Sequence, residues 1–106
     1  MSTLAIADLQ TPALLLSRPR LTRNIARMKA RMDGFGIRLR PHIKTVKSAD
    51  VFRPALDGAA GVTVSTLAEA EYAAANGVKS VLYAVGMAPA KLERAAAPGG
   101  EGVNLI

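Results

Sequence analysis

Residues 37–50 read IRLRPHIKTVKSAD and hold the side chains best suited to chemistry. They include the sole histidine, His42, two of the five lysines, Lys44 and Lys47, and two arginines, Arg38 and Arg40. A neutral primary amine adds to an aldehyde carbon and can hold a carbonyl compound covalently. Neighbouring cations and partial loss of water favour that neutral form. Lys44 could therefore anchor a carbonyl-bearing ligand, with the surrounding cations holding its anionic groups. The plainer account stands beside this one. A lysine at a strand end is ordinarily a solvated charge, and a lone histidine is more often packed or superficial than catalytic. Arg40 and Lys47 are of types that usually face water.

The pattern around these residues alternates. Ile37, Leu39, Pro41 and Ile43 fall on one face, and Arg38, Arg40, His42 and Lys44 on the other. This predicts a strand with an apolar side and a cationic side. Pro41 donates no hydrogen bond, so it marks a bulge or a strand end. Lys44 closes the run, just before the connection Thr45–Val46–Lys47.

The flanking elements follow from local signals. Ala13 to Leu16 read as a short extended run. Ser17 can cap a helix in which Pro19 suits the first turn, and Gly34 and Gly36 end it. Leu21, Ile25, Met28 and Met32 lie at helical spacing, which predicts core positions. SADVFRPALDGAAG reads as a helix capped by Ser48, and Pro54 kinks it or splits it in two. GVTVST is β-branched and predicts a strand. Thr66 and Glu69 have capping-box spacing and open a helix that Gly77 ends. SVLYAV predicts a third strand, and APAKLERAAAP a helix with Pro89 near its start and Pro98 at its end. GVNLI predicts a fourth strand.

From residue 37 onward the order is strand, helix, strand, helix, strand, helix, strand, with strands starting near 38, 61, 80 and 102. Units of this kind build a parallel sheet. Both an open doubly wound sheet and part of an eight-fold barrel fit. A barrel typically takes about 250 residues, and the chain finishes on an apparent strand. The fold class expected is therefore α/β, the N-terminal part of a (β/α)8 TIM-type barrel, about three and a half βα units with parallel strands. Residues 1–106 would form one partial domain, lacking the C-terminal barrel half. On a barrel strand, Arg40, His42 and Lys44 would face inward, and Lys44 would stand at the C-terminal end, where barrel active sites lie. Thr63 and Ser65 could line the same interior, with no base evidently paired to them. Tyr83 could face either side.

Composition narrows the function classes. Half of the 106 residues are apolar and about a fifth are charged, as in ordinary globular proteins. No apolar run approaches the ~18 residues of a membrane span, and the N-terminus has no convincing leader. The absence of cysteine removes thiolate and disulfide chemistry and agrees with a cytoplasmic location. One histidine and no cysteine leave no zinc constellation. The formal charge of +6 is concentrated between residues 18 and 53. Basic residues alternating with apolar ones, and only four aromatics, argue against a nucleic-acid partner and for solvated helix faces plus an anionic ligand site.

TPALLLSRPRLTRNIARM, GIRLRPHIKTVKS and GVTVSTLAEAEYAAANGV, in that order, resemble the N-terminal part of fold-type III pyridoxal-phosphate enzymes. The similarity is to the D-threonine aldolase and D-serine dehydratase branch, related to the alanine racemase N-terminal domain. It covers residues 10 to 106 and is most specific in the Arg-Pro-His-x-Lys-Thr-x-Lys block at 40–47. The resemblance implies that Lys44 carries pyridoxal 5'-phosphate as a Schiff base, with His42 and Arg40 as further cofactor-binding residues. It implies a lyase acting on a D-amino acid, by aldol cleavage of a β-hydroxy amino acid or β-elimination of D-serine. It also implies a homodimer at full length and, in some members, a divalent metal with ligands outside this chain. Val46 stands where the branch often has histidine. A cofactor-binding protein without turnover, or an inactive truncated chain, is the alternative.

Overall fold

The computed structural model describes residues 3–96 and 103–105. After a 3-10 turn at Ile6–Asp8, the chain forms α1 (Arg18–Gly34), α2 (Ala49–Phe52), a 3-10 turn (Arg53–Leu56) and β1 (Val62–Val64). It continues through α3 (Leu67–Ala75), β2 (Val81–Tyr83), a 3-10 turn (Pro89–Lys91), α4 (Leu92–Ala96) and β3 (Val103–Leu105). The expected stop at Pro98 lies outside the described residues. Among those residues no helix is long and apolar enough to cross a membrane.

The sheet is parallel in the order β1-β2-β3, with Val62 opposite Val81 and Val81 opposite Val103. The segment predicted as the first strand, 37–44, is shorter than expected. It makes a single parallel bridge, His42 to Thr63, so it adds a strand-like edge before β1. The bonds show why it goes no further. Thr63 N–H donates to Pro41 O at 2.8 Å and Ile43 N–H to Thr63 O at 3.1 Å, whereas Ala60 N–H donates to Leu39 O at 2.8 Å. The register slips by one residue between them, at Gly61, whose φ of +133 suits only glycine. Pro41 has no N–H with which to extend the ladder.

Alternation along the strands separates two faces. Val62, Val64, Val81 and Tyr83 are buried together with Ile43, Ala49, Phe52, Leu67, Ala70, Ala73 and Ala95 from the neighbouring segments. Tyr83 thus faces the helices. Ile43, Val62 and Val64 are fully buried, each contributing about 1.5–3 kcal/mol of hydrophobic stabilisation. Thr63 and Leu82 point to the other side and are half-buried. Helices cover one face, and the strands follow one another in chain order. This is the arrangement of a barrel arc; a doubly wound sheet carries helices on both faces.

Helix ends obey their signals unevenly. Thr66 caps α3, its Oγ1 accepting Glu69 N–H at 3.1 Å. Pro19 sits in the first turn of α1, but neither Ser17 nor Ser48 makes a side-chain cap bond. α2 and the 3-10 turn at Arg53–Leu56 are the two pieces that Pro54 predicted. Ala49 N–H donates instead to the Tyr72 hydroxyl at 3.1 Å, and the Tyr72 ring meets Phe52 edge-on at 6.3 Å. Arg94 on α4 makes a bidentate pair with Glu71 on α3, at 2.6 and 2.9 Å. The hydrogen bond from Arg94 holds the Glu71 carboxyl below its usual range, and the guanidinium charge adds to the effect.

α1 departs from expectation. None of its residues is fully buried, and Met28 is 44% exposed. A cleft of about 780 Å³ separates it from residues 50–59, lined by Leu21, Ile25, Met28, Ile37, Val51 and Ala55 among others. Its apolar stripe faces this cleft, so the helical spacing was read correctly while the burial was not.

Candidate functional site

The site is built where the strand-like edge meets β1. Because His42 pairs with Thr63 and side chains alternate, the next position on the same face of β1 is Ser65. The His42 ring bridges two neighbours. Its Nδ1 accepts the backbone N–H of Lys44 at 3.1 Å, and its Nε2 lies 2.9 Å from Ser65 Oγ. A nitrogen that accepts carries no proton, so the ring is the neutral tautomer protonated on Nε2. Nε2–H then donates to Ser65. In this arrangement His42 cannot take the Ser65 proton, which argues against a serine nucleophile with His42 as its base.

Lys44 begins the turn that leaves this edge. Lys47 N–H donates to Ile43 O at 3.0 Å and closes it, with Lys47 in the left-handed region at φ +47. A non-glycine residue there costs about 1–2 kcal/mol. Glu69 faces the same turn. It is 8% exposed, its Oε2 accepts Ser65 N–H at 2.8 Å, and its Oε1 lies 3.9 Å from Lys47 Nζ. A reciprocal capping box would have returned this carboxylate to Thr66 N–H. Here it reaches one residue further back and joins the connection after β1 to the connection carrying Lys44. The Lys47 side chain is 67% exposed, so this ion pair is weak in energy.

Of the residues singled out in sequence, His42 and Lys44 come together at the C-terminal end of the strand-like edge. The Lys44 side chain is exposed and pairs with no carboxylate among the described residues. These residues thus leave it open to water. Arg40 lies at the other end of the strands. Its Nη1 donates to Ser80 Oγ at 3.0 Å, Ser80 O at 3.2 Å and Val62 O at 3.4 Å, joining the starts of β1 and β2. The cleft beside α1 lies on the helix side, and neither His42, Lys44 nor Ser65 lines it. Among the described residues no group of three or more His, Cys, Asp or Glu could hold a metal ion.

Glu69 was not singled out as a site residue from sequence, and Ser65 was read only as a possible lining residue of the interior without a partner. The signal existed for Ser65, two positions beyond Thr63 on an alternating strand, but the strand register was needed to set it beside His42. Glu69 was legible only as half of a capping box.

Comparison with known proteins agrees with this geometry. Residues 16–101 match the family described as alanine racemase, N-terminal domain. The chain is 52% identical over 91 residues to D-threo-3-hydroxyaspartate dehydratase of Delftia sp. (strain HT23), covering 85% of this chain and 24% of that protein. It is 39% identical over 93 residues to 3-hydroxy-D-aspartate aldolase of Paracoccus denitrificans, again 85% of this chain and 24% of the relative. The crystal structure of an alanine racemase-like protein from Idiomarina loihiensis superposes with a TM-score of 0.84 at 48% identity, over 94% of this chain and 27% of that one. The chain spans about a quarter of the length of the curated relatives it matches. With its one-sided parallel arc, it belongs to the alanine racemase N-terminal domain family, whose fold is the TIM-type barrel.

Proposed function

We propose that this chain is the cofactor-anchoring part of a pyridoxal-phosphate-dependent lyase acting on a D-configured β-hydroxy amino acid, with Lys44 as the anchor. The observation that carries this reading is the position of Lys44. It stands exposed where a parallel edge reaches its C-terminal end, and its backbone N–H bonds to His42 of the His42–Ser65 pair. Barrel active sites lie at that end. An accessible amine with no carboxylate partner among the described residues fits an aldehyde cofactor bearing anionic groups.

When bound, the cofactor supplies an electron sink for the bond broken at the substrate's Cα. The residues of this chain bind and orient. Lys44 supplies the amine that holds the aldehyde carbon. His42, fixed by the Lys44 amide, sets the Ser65 hydroxyl. Glu69 fixes the Ser65 backbone at the start of α3 and makes only a long, weak ion pair with Lys47. Loss of water breaks Cα–H and Cβ–O, whereas aldol cleavage breaks Cα–Cβ itself; both leave an electron pair at Cα, and the names of the two relatives, a dehydratase and an aldolase, support the class without choosing between them. A homodimer and a cytoplasmic location complete the proposal, the latter supported by the absence of cysteine.

Borohydride trapping tests the reading. The full-length protein is incubated with pyridoxal phosphate, reduced and digested, and the modified lysine is located by mass spectrometry. Label concentrated on Lys44 supports it, with Lys29, Lys47, Lys79 and Lys91 spared. Label spread over the lysines without preference for Lys44 overturns it. Selective label without turnover of any D-β-hydroxy amino acid would point to a carrier.

A further inference from the structure

The His42–Ser65 contact settles more than the state of the imidazole. A serine hydroxyl has one proton to give and two lone pairs. One lone pair of Ser65 Oγ is taken by His42 Nε2–H at 2.9 Å. That bond is imposed from the far side of the ring, because the Lys44 N–H occupies Nδ1 at 3.1 Å. Ser65 is also held through its backbone, its N–H donating to the buried Glu69 carboxylate at 2.8 Å. With His42 and Glu69 fixing it, the hydroxyl keeps its proton free to donate to a further group, and no acceptor for that proton is present among the described residues. It lies on the face of the sheet that carries His42, beyond the helix-covered core.

We propose that Ser65 is a ligand-binding residue, a donor preset by His42 to meet an anionic oxygen of the aldehyde that Lys44 holds. His42 is then a positioning residue that acts through Ser65. The proposal rests on the reading of Lys44 as the anchor. Two oxygens of pyridoxal phosphate have the required chemistry, the ring phenolate and the phosphate, and the test separates them.

The full-length protein and its Ser65→Ala, Ser65→Thr and His42→Phe variants are titrated spectroscopically with pyridoxal phosphate and with pyridoxal, which lacks the phosphate. Melting temperature and the selectivity of borohydride labelling at Lys44 are recorded for each. Ser65→Ala is expected to weaken binding about 10-fold or more, as loss of a hydrogen bond to a charged acceptor does, while Lys44 remains the labelled residue. Ser65→Thr, which keeps the hydroxyl, restores affinity. His42→Phe loses a similar factor, and the Ser65→Ala/His42→Phe double variant loses little beyond either single change. A loss shared by both aldehydes assigns the phenolate; a loss confined to the phosphorylated one assigns the phosphate. If Ser65→Ala does not fold, Ser65→Cys, similar in size with a weaker donor, takes its place. Unchanged affinity for both aldehydes, with Lys44 still selectively labelled, overturns the proposal. A parent protein that leaves Lys44 unselected overturns the functional reading first, and this proposal with it.

Discussion

The guanidinium of Arg40 fills the space that a side chain on Gly61 would need. A Cβ on Gly61 would lie 2.5 Å from Arg40 Nη1 and would also collide with the Ser80 carbonyl oxygen. Gly61→Ala is therefore expected to cost at least about 2 kcal/mol, from the backbone conformation and the displaced arginine together. Chemical denaturation of the full-length protein measures it. A loss below about 0.5 kcal/mol, typical of an ordinary surface change, would show that the register slip relaxes easily.

The second prediction separates two roles for Arg40. Its hydrogen bonds to Val62 O, Ser80 O and Ser80 Oγ make it a clamp across the starts of β1 and β2. Arg40→Met should lower stability by about 1–3 kcal/mol and leave affinity for pyridoxal phosphate close to that of the parent. An unchanged melting temperature with weakened cofactor binding would return Arg40 to the binding site.

Capping offers a paired comparison. Thr66→Ala removes the bond to Glu69 N–H and should cost about 1 kcal/mol. Ser48→Ala occupies the equivalent position of α2 without a side-chain bond to lose, and should be near neutral. Equal losses in thermal melts would refute the distinction.

The Glu71–Arg94 pair makes a pH prediction. The folded Glu71 carboxyl sits below its usual value of 4.5 because Arg94 donates to it. A depressed carboxylate contributes stability in full above the unfolded value, and the contribution is lost as pH falls through the folded one. Glu71→Gln should flatten the acid limb of the stability profile below 4.5 and leave its shape above neutrality unchanged. An acid limb identical to that of the parent would mean the pair is formed too rarely in solution to matter.

Local signals carried much of the fold. Thr66, Gly34, Pro54 and Gly77 act within a few residues of themselves, so the limits of α1 and α3 and the break after α2 were readable. The parallel sheet followed from the spacing of β-branched runs. Long-range pairing was less readable. The edge at 37–44 shrank to a bridge because the Gly61 slip lies in another segment. Met28 kept its helical face but not its burial, because burial depends on what stands across the cleft. Lys44 was identified from a motif, whereas the hydroxyl beside it needed the register between His42 and Thr63.

The bond from Ala49 N–H to the Tyr72 hydroxyl spans 23 residues. Most helices carry the instruction for their first turn immediately upstream. α2 receives it from a later helix, and its four residues are too few to persist alone. During synthesis, then, α2, which follows the turn after Lys44, has no settled start until α3 has emerged and docked. Lys44 is displayed early in the chain, and the helix that follows it gains its fixed setting late.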